Sequence, residues 1–128
     1  MIEKTANAAI DQITLTGLAP KEELINKLAA DADLSVDMLS RMGEPDDLRQ
    51  SKACIRLIDD ITAYCQTTTG QRYVDLVRNG LKKAIDRNDD LDLRLHLLDN
   101  LKAVAKPADA EHIAMYLADP NMAAAAFR

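Results

Sequence analysis

The fold is decided by residues 91–117, which read LDLRLHLLDNLKAVAKPADAEHIAMYL. In residues 91–104 the aliphatic side chains fall on two adjacent stripes of a helix. The first stripe holds Leu91, Leu95, Leu98 and Val104, and the second holds Leu93, Leu97 and Leu101. An exposed amphipathic helix needs only one apolar stripe. We therefore expect this helix to be covered on two sides by other helices.

More short helices are predicted around this segment. One follows Pro107 and ends near Pro120, and the alanine-rich residues 123–126 can start another. Four Gly and four Pro are too few for a loop-rich fold, and an aromatic content of only 3% favours helix packing over a β-sandwich or barrel. We predict one all-α domain over residues 1–128, with about six to eight short helices in an irregular bundle or a short solenoid-like array.

Start and stop signals divide the first two thirds of the chain into helices. The signals are Gly17 at the end of the first helix, Pro20 in the first turn of the second, Asp33 or Ser35 as the cap of the third, Gly43 at its end and Pro45 before the longest helix. In the fifth helix Lys82 is predicted to face outward. Gly80 lies beside the apolar side of that helix and costs about 1 kcal/mol relative to Ala, so we expect another helix to cross closely there.

The charge balance narrows the classes of partner. The net charge is −5 and the pI is about 4.9, which argues against binding to a phosphate backbone. No apolar run approaches the roughly 18–20 residues that span a bilayer, and the N-terminus lacks a signal-peptide pattern. We therefore expect a cytoplasmic protein with no nucleic-acid and no membrane partner, whose charged partner, if it has one, is basic.

The side chains that usually carry chemistry are few. Cys54 and Cys65 lie on one predicted helix, about 16 Å apart by helical rise, which is too far for a disulfide within that helix. Both fall on its apolar stripe, so we predict two small buried side chains. His96 and His112 lie on different predicted helices without metal-ligand spacing. We predict no metal, no cofactor and no catalysis, and the alternative is an enzyme or ligand-binding bundle that uses one of the histidines.

Candidate contact residues fall in two places. Asp59 and Asp60 lie in the middle of the longest predicted helix, opposite its apolar stripe, where no helix start accounts for their charge. We predict that they form an exposed acidic contact for a partner. Met122 and Phe127 add apolar side chains to an alanine-rich end that would be marginal as an isolated helix. This end can pack on the body of the protein, or it can dock on a partner or on a second copy of the chain, in which case Met122 and Phe127 are the predicted contacts.

Two further carboxylate groups have a simpler explanation. Glu44, Asp46 and Asp47 form the first group, and Asp86, Asp89, Asp90 and Asp92 form the second. Both groups precede or begin predicted helices, where an anion stabilises the helix dipole by about 0.3–1 kcal/mol. The alternative for these groups is a docking surface for a basic partner.

Residues 108–128 resemble one HEAT-like helical repeat. They combine Glu111 to Leu117, an Asp119–Pro120 turn and an alanine-rich segment that ends in Arg128. In that family a first helix ends in a leucine-rich turn with Asp-Pro, and an alanine-rich helix with a basic residue follows. The resemblance implies a short HEAT-like array and a scaffold role without catalysis, and it assigns no site residues.

The sequence favours two functions. The first is a small cytoplasmic protein-interaction module, an adaptor or regulator, that presents a helical surface and has no catalytic activity. The second is an acidic inhibitor or immunity-type protein that blocks a basic toxin or nucleic-acid enzyme, for which complementary charge would speed the encounter. A homo-oligomer is compatible with either function.

Overall fold

The computed structural model describes residues 2–18, 20–42 and 48–126, with the side chains of 124–126 left undescribed. Within these residues the chain forms eight α-helices and no strand, so the all-α prediction is confirmed. The helices are α1 Ile2–Thr16, α2 Glu22–Ala30, α3 Ala32–Met42, α4 Leu48–Tyr64, α5 Val74–Arg87, α6 Leu91–Val104, α7 Ala110–Ala118 and α8 Pro120–Ala126. Single 3-10 turns, Gln71–Tyr73 and Pro107–Asp109, precede α5 and α7.

The centre of the molecule is formed by α3, α4 and α5. The most extensive contact joins α3 to α5, while α1 and α2 pack on one side of α4. α6 packs on α4 and α5, and α8 packs on α6 and α7. Helices two or three positions apart along the chain are in contact, as α3 is with α5 and α1 with α4, which fits a short helical bundle or array.

The leucine-rich helix α6 is covered on two sides, as its double stripe predicts. The residues that are 7% exposed or less are Leu97, Leu98, Leu101 and Val104. The leucines of its first two turns, Leu91, Leu93 and Leu95, are partly buried against the same core. Asp90 caps the helix, because its Oδ1 accepts a hydrogen bond from the Leu93 N–H at 3.2 Å.

Two predicted helix starts are wrong. Pro20 lies outside α2, which begins only at Glu22. α3 begins at Ala32, directly after Asp31, whose carbonyl accepts from the Leu34 and Ser35 N–H groups. Ser35 is therefore inside the helix, where its buried hydroxyl donates to the Leu28 carbonyl of α2 at 2.7 Å instead of capping α3.

Asp33, the other predicted cap of α3, also lies within that helix. Gly43 and Pro45 lie outside the described residues, as do Glu44, Asp46 and Asp47. The close crossing predicted at Gly80 is present, because this glycine is buried against α3 beside Ala32 and Val36. None of the helices in the described part of the chain is long and apolar enough to cross a membrane.

Candidate interaction surfaces

Asp59 is part of a polar cluster between α4 and α6. Its Oδ1 lies 2.7 Å from His96 Nε2 and accepts a hydrogen bond from Asn100 Nδ2 at 2.9 Å. The side chains of Asp59 and His96 are 44% and 41% exposed. Since an ionised carboxylate only accepts hydrogen bonds, the His96 ring donates. The cluster is an exposed anion held in one orientation, and its role in partner binding stays a prediction.

The carboxylate that contacts His96 does not belong to either of the aspartates near it in the sequence. Asp92 and Asp99 lie within about a turn of His96, yet the carboxylate it contacts belongs to Asp59, 37 positions earlier in the chain. The two residues meet because α4 packs against α6. No local spacing signals this pair, since it depends on which helices become neighbours.

Asp60 differs from Asp59 in its surroundings. Both residues are partly exposed, but the Oδ2 of Asp60 is buried without a hydrogen-bond partner among the described residues. Burial raises the pKa of this carboxyl, Arg56 opposes the shift, and Asp59 adds to it. The expected exposed pair is therefore wrong for Asp60, which turns one oxygen into the protein.

Replacing Asp60 by Asn is expected to stabilise the protein at pH 7 by up to about 1 kcal/mol, because it removes a negative charge that burial disfavours, at a side chain that is still partly solvated. The folded-state pKa is raised, so stability is lost as pH rises through it. The gain should therefore shrink towards pH 3, where the wild-type carboxyl is protonated. Urea unfolding of the wild type and the variant at pH 7 and pH 3 measures this difference in stability. Asp59→Asn is the control and should give no gain, and an equal gain in both variants would contradict the prediction.

One of the two predicted C-terminal contact residues is not at the surface. Met122 is fully buried in the core, so its prediction as a partner contact is wrong. The reason is that α8 folds back on α6 and α7, which takes this side chain out of water. Phe127 lies outside the described residues.

α7 and α8 form a helical hairpin, which is what the HEAT-like resemblance implies for this segment. α7 ends at Ala118, Asp119 follows, and α8 starts at Pro120 and packs on α7. The N–H of Asn121 donates to Asp119 Oδ1 at 2.9 Å, which supports the turn between the two helices. The hairpin is one pair of helices, and nothing in it assigns a binding site.

A buried ion-pair network joins α5 to the turn before α7. Asp109 is fully buried and accepts from Arg78 Nε at 2.6 Å and Arg78 Nη2 at 2.8 Å. Lys82 Nζ and the Lys106 N–H also contact this carboxylate. Asp75 extends the network, because its Oδ1 lies 2.7 Å from both Arg78 Nη1 and Lys106 Nζ. Lys82, predicted to face outward, is instead half-buried in this network.

Both cysteine side chains are buried. Cys54 and Cys65 are 2% and 1% exposed and are not in a disulfide. Burial raises the pKa of both thiols to about 11. The prediction of two small buried side chains is confirmed, and both thiols are protonated at neutral pH. Among the described residues, no group of three or more His, Cys, Asp or Glu side chains is arranged to hold a metal ion.

An open surface feature runs between α1 and α4, beside the exposed Leu15. It is made of two adjoining depressions of about 260 and 360 Å³, which share Thr14 and Arg49. We call it the α1–α4 groove. Its α1 wall consists of Ile10, Asp11, Ile13, Thr14 and Leu15, and its α4 wall consists of Arg49, Gln50, Lys52, Ala53 and Arg56.

Apolar and cationic groups alternate around this groove. Leu15, which lines the groove, is 84% exposed. Leu18, two residues after the end of α1, and Leu48, the first residue of α4, are 68% and 66% exposed. Arg56 Nη1 donates to the Gly17 carbonyl at 2.7 Å and so connects α4 to the end of α1. The walls hold three cationic side chains and one carboxylate, a positive balance on a chain whose net charge is −5.

Comparison of this chain with protein-family models, with curated proteins and with solved structures finds no match. The candidate surfaces are therefore judged by their own geometry. That geometry offers an apolar and cationic groove on one side of α4 and an exposed, hydrogen-bonded carboxylate where α4 meets α6.

Proposed function

We propose that this chain is a protein-interaction module, an adaptor or regulator, that presents a helical surface and performs no covalent chemistry. The observation that supports this proposal is the α1–α4 groove, which combines the exposed Leu15 with the apolar side chains of Ile10, Ile13 and Ala53. Two more exposed leucines, Leu18 and Leu48, follow the end of α1 and begin α4. We further propose that the protein acts in the cytoplasm, where free cysteines such as Cys54 and Cys65 are kept reduced.

The shape of the groove suits a helix of a partner protein. Two helices form its walls, and Ile10, Ile13 and Ala53 line its base. An amphipathic helix docks in such a groove through apolar side chains at i, i+3 or i+4, and i+7. A leucine that a partner covers contributes about 1.5–3 kcal/mol when it leaves water. Leu15, the most exposed of the three leucines, has the most to gain from being covered.

Leu15→Ser is expected to weaken binding of the partner about 10- to 100-fold, which corresponds to the loss of one buried leucine. The fold should be unaffected, because this side chain is 84% exposed. Proteins captured from host lysate by the tagged wild type and by the variant would be quantified by mass spectrometry. The affinity of the recovered partner would then be measured by calorimetry.

The matched control for this experiment is Leu34→Ser. Leu34 is 57% exposed on α3 and does not line the groove. A partner that this control retains and that Leu15→Ser loses would support the proposal. A partner that binds the wild type and both variants equally would contradict it.

A second candidate function is an acidic inhibitor of a basic toxin or nucleic-acid enzyme. The observation that favours it is the orientation of Asp59, which His96 and Asn100 hold while the side chain stays 44% exposed. A pre-oriented anion loses little conformational freedom when it meets a cation. A basic partner released by salt and weakened by Asp59→Asn, with Leu15→Ser neutral, would favour this function over the adaptor.

A further inference from the structure

We infer that the α1–α4 groove binds an acidic amphipathic helix of a partner protein, whose carboxylates pair with Arg49, Lys52 and Arg56. This inference rests on the proposed adaptor function and specifies the chemistry of the partner. An acidic partner has the opposite charge to the basic partner that the net charge of the chain favours. The local charge of the groove, and not the net charge of the chain, decides which partner docks there.

Among the described residues, ion pairs within the folded chain account for some of its basic side chains, but not for Arg49 and Lys52, nor for Lys83 and Lys102 outside the groove. Arg78, Lys82 and Lys106 each lie within 4.0 Å of a carboxylate. Within the described residues, no such ion pair involves Arg49 or Lys52. Their positive charges therefore face the groove without a described counter-ion.

The cations are also poorly placed for the stability of α4 itself. Arg49 stands in the first turn, where the helix dipole is positive, and that turn contains no acidic residue. Lys52 and Arg56 are four positions apart, a spacing at which like charges repel. Only Arg56 is partly compensated, by its hydrogen bond to the Gly17 carbonyl and its attraction to Asp60. Within the described residues, α4 therefore supplies no carboxylate in its first turn to balance Arg49.

The spacing of the cations matches a helical ligand. Arg49, Lys52 and Arg56 occupy positions i, i+3 and i+7 of α4, which spans about 10 Å along the helix axis. A partner helix with carboxylates at the same spacing can face all three. The apolar base of the groove and Leu15 then require an apolar stripe beside those carboxylates. A nucleic acid would match the charge but not Leu15, and none of the described groove residues is an aromatic side chain on which a base could stack.

The test uses two synthetic helical peptides and the full chain. Both peptides carry the same leucine stripe, and beside it one has Glu and the other Lys at i, i+3 or i+4, and i+7. Fluorescence anisotropy measures their binding at low and high salt. We expect the Glu peptide to bind and its affinity to fall with salt. The variant R49E/K52E should weaken it at least about tenfold, since two attractions become repulsions, and should strengthen the Lys peptide.

Two controls separate a lost contact from a damaged fold. Lys83→Glu changes an exposed lysine of α5 outside the groove and should leave peptide binding unchanged. Lys52→Gln should weaken binding of the Glu peptide while the thermal midpoint stays equal or rises, because it removes like-charge repulsion. A structural role for Lys52 would lower the midpoint instead.

The outcomes that overturn the inference differ from those that overturn the proposed function. Equal binding of the Glu and Lys peptides, or no effect of R49E/K52E on the Glu peptide, would reject an acidic ligand. Binding of neither peptide would also reject it, and so would binding of an oligonucleotide alone. A second copy of the chain would be the occupant instead if sedimentation showed that the wild type self-associates and that R49E/K52E does not. If Leu15→Ser still abolished capture of a protein partner in those cases, the adaptor function would stand with a partner of different charge.

Discussion

Asp109→Ala is expected to destabilise the protein by about 3–5 kcal/mol, the cost of breaking a buried ion pair by removing one partner. The carboxylate is fully buried, and the Arg78 side chain that it binds through two nitrogen atoms is only 12% exposed. Without the anion, the charges of Arg78 and Lys82 remain partly buried without their main counter-ion. A loss of this size is a large part of the 5–15 kcal/mol that usually separates folded and unfolded states.

Urea unfolding at pH 7 measures this loss. The control replaces the network as a whole, with Asp109→Leu, Arg78→Met and Lys82→Met in one chain. Well-packed apolar side chains often substitute for a buried ion pair at little cost, so the triple variant should be more stable than Asp109→Ala. If the single replacement cost less than about 1 kcal/mol, as for an exposed pair, the network would not hold the fold together.

The same carboxylate predicts a pH dependence. Hydrogen bonds from Arg78 lower the pKa of Asp109 well below its ordinary value of 3.8. A lowered folded-state pKa contributes stability that is present above the unfolded-state value and lost as pH falls through the folded-state value. Wild-type stability should therefore decline below about pH 4, and Asp109→Asn should show a weaker decline. Parallel acid profiles of the two proteins would contradict this assignment.

Gly80→Ala is expected to destabilise the protein by about 1–3 kcal/mol, although Ala is the better helix former by about 1 kcal/mol. A Cβ atom at this position would overlap the Ala32 carbonyl oxygen and lie 3.0 Å from the Val36 Cβ. Backbone atoms of α3 cannot move aside as a flexible side chain can. The gain in helix propensity is therefore smaller than the cost of separating α3 from α5.

Thermal and urea unfolding of Gly80→Ala test this close crossing. Asn79→Ala is the matched control on the exposed side of the same helix. It should be neutral or stabilising by up to about 0.7 kcal/mol, since only helix propensity changes there. Gly80→Val should cost more than Gly80→Ala. A Gly80→Ala protein as stable as the Asn79→Ala protein would mean that α3 and α5 can separate without penalty.

The helices were predictable because they depend on patterns within one segment. The double leucine stripe of α6 and the glycine beside the apolar side of α5 each carry a local signal, and the structure confirms both. Capping was less predictable. Ser35 suits a helix cap by residue type, but its hydroxyl bonds to the Leu28 carbonyl of α2, a partner that exists only after α2 and α3 have packed.

The charged contacts were not predictable for the same physical reason. Asp109 accepts a hydrogen bond from Arg78, which lies 31 positions away in the sequence, and His96 contacts Asp59, which lies 37 positions away. Lys82 has the spacing of a solvent-facing residue, yet the turn before α7 places a buried anion against it. The α1–α4 groove likewise requires that α1 lie against α4. Such contacts follow from helix neighbours, which the 3.6-residue period does not specify.

The network around Asp109 also decides how far the chain can be shortened. Removing everything after Val104 would delete a pair of short helices that look peripheral in sequence. It would also remove the anion that neutralises Arg78 and Lys82, and it would withdraw Met122 from the core. The truncated chain would expose part of the apolar surface of α6 to water. Residues 105–122 are therefore an integral part of the smallest stable unit, and tags or fusions are better attached beyond α8 than in place of it.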